Sequence, residues 1–130
     1  MLTYADGPTA LDWLVRAFGF VEKERWLDDE GRLDHGEVEA FGAQIMLAGT
    51  NPAYESPRAH RVSCAASAAW QETPYVVDGV LVHVPDVDAH LETARNEGAV
   101  ILSGPEESPF GKLYRAEDVE GHRWMFLQPA

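Results

Sequence analysis

This chain is written twice, and the repeat limits what it can fold into. Adding 79 to a position in the first third usually lands on a matching residue: Leu2 on Leu81, Ala10 on Ala89, Arg16 on Arg95, Gly19 on Gly98, Val21 on Val100. Further along, Gly42 meets Gly121 and Met46 meets Met125. One residue of slip pairs Gly31-Arg32-Leu33 with Gly111-Lys112-Leu113. A repeat of this length implies two copies of one supersecondary unit. A site between the copies would then be built from equivalent positions.

The secondary-structure signals repeat in the same order. Leu2–Tyr4 reads as a short strand. Asp6-Gly7-Pro8 opens a helix with proline near its first position. Leu11, Leu14, Val15 and Phe18 give that helix one apolar face, and Gly19 ends it. Strands are predicted over Phe20–Leu27, Leu33–Phe41 and Ala43–Ala48, with reversals at Asp28-Asp29-Glu30-Gly31 and Gly42. In the second copy, Gly79–Val84 is a strand. Asp86 caps a helix that turns Val87, Leu91 and Ala94 inward and stops at Gly98. Val100–Leu102 is a strand broken by Gly104-Pro105. Lys112–Asp118 and His122–Leu127 flank the turn Asp118-Val119-Glu120-Gly121.

Both copies read βαβββ. The first module takes residues 1–49 and the second 78–130, within one domain spanning 1–130. Residues 50–77 link them. The middle of this linker, Val62–Trp70, is rich in Ala and Ser and suits a short helix or strand. A linker this long is expected to be functional or to lie across a partner.

Acidic residues outnumber basic ones 22 to 10, a net charge of −12. That excludes ordinary binding to a nucleic-acid backbone, which needs Lys and Arg to displace counterions. It suits a cationic partner or simple solubility. One cysteine, Cys64, allows no internal disulfide and has no Cys or His at catalytic spacing. No apolar run approaches a membrane span and no leader opens the chain, so a cytoplasmic protein is expected.

Paired βαβββ units with these signals resemble the vicinal oxygen chelate superfamily, which includes glyoxalase I, extradiol dioxygenases and bleomycin-resistance proteins. The resemblance rests on Ala10-Leu11-Asp12-Trp13-Leu14 running to Phe18-Gly19-Phe20, on Val84-Pro85-Asp86-Val87-Asp88-Ala89, and on Glu117-Asp118-Val119-Glu120-Gly121-His122-Arg123-Trp124. It implies an α+β fold in which the modules form a curved, cup-like mixed sheet. It also implies a homodimer with cups completed across the interface, and the linker is long enough to allow module exchange.

Metal-using members of that family take His, Glu or Gln ligands from the first and fourth strands of each module. Carried over, those places are Gly79, Met46 and Met125, and the repeat sends Gly79 back to a position before residue 1. Glycine has no donor, and a thioether is a soft one suited to copper. The expectation is therefore no metal cofactor. The alternative is a divalent metal on displaced ligands, His35, Glu37 and His83, since a His-x-Glu-x-Glu strand face can hold a metal or serve as acid and base.

The remaining candidates concern a pocket. Alternation puts His83 on the face of Gly79 and Leu81, equivalent to Tyr4. Met46 and Met125 are expected to line the cup, with Ile45, Leu47, Trp124 and Phe126 beneath the helices. Trp26 and Tyr114 on strands, with Trp70 and Tyr75 in the linker, offer rings for flat or cationic molecules. Trp13 is expected to mark a partner surface, His122 to cap its turn, and His60 and His90 to lie on the surface. The expected ligand-binding set is Tyr4, Trp26, Met46, His83, Tyr114 and Met125.

This reading describes a metal-free protein that binds or sequesters a hydrophobic, aromatic or cationic small molecule such as an antibiotic. A metal-dependent lyase, isomerase or dioxygenase of glyoxalase type is the alternative. A carrier for a biosynthetic product is a third.

Overall fold

The computed structural model describes residues 1–130. The elements are β1 (Leu2–Thr3), α1 (Gly7–Phe18), β2 (Val21–Leu27), β3 (Leu33–Ala40), β4 (Ala43–Ala48), α2 (Pro57–Ser63), α3 (Ala65–Trp70), β5 (Val80–His83), α4 (Val87–Asn96), β6 (Val100–Ser108), β7 (Gly111–Glu117) and β8 (Arg123–Pro129). They make two four-stranded sheets, ordered β1-β4-β3-β2 and β5-β8-β7-β6. In each, the first strand runs parallel to the fourth and the other pairs are antiparallel. This is βαβββ twice, an α+β fold, as the repeated signals predict. No helix is long and apolar enough to cross a membrane.

The strand registers correct one correspondence. Leu47 pairs with Leu2, and its repeat partner Phe126 pairs with Val82, not Leu81. Tyr4 N donates to Ala48 O at 2.9 Å, and Val84 N donates to Leu127 O at 2.9 Å. The N-caps Asp6 and Asp86 obey the same rule. The opening strand and helix start are therefore offset by 80, the closing strands by 79. Tyr4 answers to Val84, and Thr3 answers to His83. In a strand, one residue of slip turns every side chain to the other face.

The modules meet through their helices and the inner faces of their sheets. Phe18 is fully buried, with its ring centroid 4.7 Å from that of Phe126, 5.5 Å from Trp124 and 4.9 Å from Trp13. Trp13, expected at a partner surface, is instead 5% exposed and donates Nε1–H to Glu97 O at 2.8 Å. Its place off the apolar stripe suits a second contact, with the end of the other module's helix.

The β7–β8 turn adds a second weld. The Glu120 carboxylate accepts from Ala5 N and Asp6 N at 2.7 and 2.8 Å, and Tyr4 Oη donates to Asp118 at 2.7 Å. The linker folds as two short helices pinned to this turn. Arg58 donates to the carbonyls of Val119 and Asp118, and Arg61 clasps Glu117 with both oxygens at 2.9 Å. β6 runs through the predicted Gly104-Pro105 break. Its register shifts on either side of Ser103 absorb the irregular backbone.

His122 does more than cap its turn. Nδ1 donates to Asp78 at 2.7 Å and Nε2 to the Thr3 carbonyl at 2.7 Å, so only the imidazolium satisfies both acceptors. Burial pulls its pKa down, but the Asp78 hydrogen bond, the Asp118 charge and the Thr3 carbonyl lift it above the usual histidine value. His90 behaves oppositely. Its Nε2 donates to Phe18 O and its Nδ1 accepts from Tyr114, and burial lowers its pKa.

The signs separate. His122's contribution is complete below an unfolded pKa of about 6.5 and is lost as pH rises through its raised folded pKa. His90's contribution is lost as pH falls below about 6.5, because the unfolded chain then binds a proton the folded one refuses. Thermal melts from roughly pH 5 to 9 should show both limbs. His122→Gln should flatten the alkaline limb and leave the acid one. An unchanged alkaline limb would remove His122 from this account.

Candidate functional site

Helices cover one face of each sheet, and the opposite faces are open. On the first sheet, Glu37 pairs with Met46, Glu39 with Gln44 and Trp26 with His35, so these six side chains share the open face. Trp26 is 58% exposed and its ring lies 5.2 Å from His35. His35 Nε2 donates to Glu37 at 2.9 Å, and Gln44 donates to the other oxygen of Glu37 at 2.5 Å. The His35 hydrogen bond, helped by Gln44, holds the Glu37 carboxyl below its usual pKa range. This face is acidic and aromatic.

The second sheet's open face has different chemistry. Leu81 pairs with Met125, and His83 and Leu113 both pair with Leu127. With Phe110 they line a hollow of about 440 Å³. A smaller hollow of about 120 Å³, bounded by Tyr75, Gly79 and Arg123, shares Leu81 and Met125 with it. The two make one groove, walled by the linker at the Tyr75 end and by Phe110 at the other. Leu81 on the floor is 53% exposed and Phe110 on the wall 75%, while Leu113 and Leu127 lie deeper, buried among their neighbours.

Four of the six expected ligand-binding residues, Trp26, Met46, His83 and Met125, stand on open faces. Tyr4 and Tyr114 do not, and both assignments are corrected. Tyr4 is buried on the inner side with its hydroxyl on Asp118. Tyr114 pairs with Phe126, is fully buried, and donates to His90. His90 is half-buried rather than on the surface. It borders a cavity of about 240 Å³ between Phe18 and Phe41, but both of its ring nitrogens are already hydrogen-bonded. Leu113, Arg115 and Phe110 were missed. Alternation back from Met125 would have found the first two once the β7–β8 register was known.

The open-face positions of the first and fourth strands carry Thr3, Gln44, Met46, Ala48, Leu81, His83, Arg123, Met125 and Leu127. His83 on β5 and Gln44 on β4 are the His, Glu or Gln donors there. β1 and β8 offer none, and the two thioethers do not replace them, so the set does not fit a site that needs such a ligand from each of four strands. The displaced set also fails to assemble within the chain. His35 and Glu37 touch each other, His83 stands on the other sheet, and no group of three His, Cys, Asp or Glu side chains converges anywhere.

Comparison with known proteins agrees with this architecture. The sequence model of the Glyoxalase/Bleomycin resistance protein/Dioxygenase superfamily matches residues 1–126. Uncharacterized proteins of Mycobacterium bovis and Mycobacterium tuberculosis are each 31% identical over 133 aligned positions. Both alignments cover 98% of this chain, with 80% of the first relative and 71% of the second. The crystal structure of TioX from Micromonospora sp. ML1 superposes with a TM-score of 0.71 at 33% identity, covering 99% of this chain and 92% of that one. TnmS3, an antibiotic binding protein from Streptomyces sp. CB03234, superposes with a TM-score of 0.61 at 20% identity, covering 99% and 93%.

Proposed function

This chain belongs to the glyoxalase/bleomycin resistance protein/dioxygenase superfamily, and within it we propose a small-molecule binding protein that works without a metal. Its ligand is a hydrophobic, aromatic or cationic compound, such as an antibiotic, which the protein holds or sequesters. The observation that carries this reading is the apolar groove over Leu81, Leu113, Met125 and Leu127, open to solvent between Tyr75 and Phe110. Exposed apolar surface of this kind marks an interaction site in a folded protein. The Met125 thioether in its floor adapts to ligand shape. TnmS3 shows that the same fold can serve antibiotic binding. The acidic, aromatic face of the first sheet suits the cationic part of a ligand. The working form is a homodimer, in which a second copy covers these faces in part.

Two measurements test the reading. Metal analysis of protein purified without chelator should find no near-stoichiometric Ni, Zn, Fe or Mn. Such a metal, lost on His83→Ala or His35→Ala, would overturn the metal-free state. A thermal-shift screen of aromatic and cationic antibiotics should then give a binder. At a hundredfold excess over Kd it should stabilise the fold by about 2.7 kcal/mol. Leu81→Asp, which puts a charge on the groove floor without touching the core, should abolish that shift.

A further inference from the structure

We propose that the open face of the second sheet recognises acceptor oxygens, and that Arg115 grips a carboxylate, or an equivalent planar pair of oxygens, on an aromatic ligand. This rests on the binding function proposed above and specifies its chemistry. Two buried side-chain polar atoms in the whole chain lack a partner, Arg115 Nε and Arg123 Nε. Both stand on the same side of the sheet, but Arg123 lies beneath the linker, where its Nη2 donates to Gln71 O at 3.0 Å, and Arg115 lies beyond it, one-quarter exposed. Arg115 stands directly across from Met125, and Arg123 is two residues before Met125 on β8. Buried donors are almost always bonded, so the orphan beyond the linker, Arg115 Nε, points to a missing acceptor.

Arg115 is set for that role. Its Nη1 donates to Glu106 at 2.9 Å and to Ser103 Oγ at 3.3 Å, which anchors the guanidinium. Nε and Nη2 make no bond within the chain, although the side chain is one-quarter exposed. Those two atoms form the edge of a guanidinium that takes a carboxylate with two parallel hydrogen bonds. A ligand oxygen reaching Nη2, with a small turn about the Nη1 anchors, satisfies Nε as well. The apolar body of the ligand then lies over Met125, Leu81 and Leu113.

The charge of the chain as a whole opposes an anion, but the local balance favours one. Arg61 and Arg123 share the single carboxylate of Glu117, and Arg115 has Glu106. Three guanidiniums thus face two carboxylates. The acidic surplus elsewhere is screened over about 8 Å at physiological salt, while a contact on this edge is not. An ammonium group finds its carboxylates on the other sheet, at Glu37 and Glu39.

Isothermal titration with 2-naphthoate and with 2-naphthylmethylamine tests this on the wild type, Arg115→Gln and Arg115→Lys. The wild type should bind naphthoate at least tenfold more tightly than the amine. Arg115→Gln should weaken naphthoate by about tenfold or more and leave the amine unchanged, the loss expected for a charge-assisted pair. Arg115→Lys keeps the charge and stem without the fork and should recover only part of the loss. It also replaces the Gln variant if that one does not fold. Tighter binding of the amine, or naphthoate affinity indifferent to both substitutions, overturns the proposal and leaves the binding function standing. No binding of either probe by a protein that an antibiotic stabilises overturns the carboxylate grip alone, and no binding of the probes or of any antibiotic in the screen removes both.

Discussion

Replacing Asp118 by alanine should destabilise the protein by about 4 kcal/mol, a large part of the roughly 5–15 kcal/mol that a domain usually has. The carboxylate is 1% exposed and holds four donors. Tyr4 Oη lies at 2.7 Å, Trp124 Nε1 at 3.0 Å, and the amides of Glu120 and His122 at 3.0 Å each. Three of these four residues are themselves buried. Removing the acceptor leaves the donors in a closed interior, at about 1–3 kcal/mol each before relaxation or entry of water. Asp118→Asn keeps one acceptor oxygen but sets an NH2 group against donors, so about half the loss is expected. Urea unfolding followed by tryptophan fluorescence measures both. A loss below about 1 kcal/mol for alanine would mean that the four bonds do not act as a unit.

This carboxylate also shows what the sequence could and could not reveal. The Asp118-to-Gly121 segment was legible as a turn, because Asp bonds its own backbone two residues on and Gly121 takes a positive φ of 93°. The number of residues in the turn was not legible. Asp118 N bonds His122 O, so the reversal takes one residue more, and Glu117 faces Arg123. A four-residue turn would set Tyr114 opposite Met125. The actual one sets Arg115 there and sends Tyr114 into the core. The misplacement of Tyr4 has the same origin, one residue of slip in the repeat. Strand faces alternate with a period of two, so pattern reading located every strand but assigned a face only where the register was known.

The fourth-strand positions were legible because the repeat joins Met46 to Met125 in closing strands where the offset of 79 holds. Both do stand on open faces. The contrast between those faces was not. Nothing in the local sequence says that the linker helices fold back onto Glu117 and Arg123 and wall the groove at Tyr75. That arrangement depends on contacts between residues more than fifty positions apart. For the same reason nothing in the sequence marks out Arg115 and Phe110, single residues of one hairpin.

Phe18→Ala carries the second large effect, and its form matters as much as its size. The Phe18 side chain is fully buried at the last turn of α1, in ring contact with Phe20 of its own module and with His90, Trp124 and Phe126 of the other. Truncation removes most of a phenylalanine's buried surface and leaves a cavity that two sheets and two helices cannot close without moving against each other. About 3–5 kcal/mol is expected. Because the ring bridges the modules, the loss should appear as one cooperative transition at lower denaturant with the slope unchanged, both sheets melting together. A variant in which one module melts before the other would show that the interior is two cores in contact. In that case the groove on the second sheet would have to hold its shape without help from the first module. Ligand binding would then survive the first transition, which a titration at intermediate denaturant would detect. If the transition stays single, the open face of the second sheet exists only while both modules are folded together.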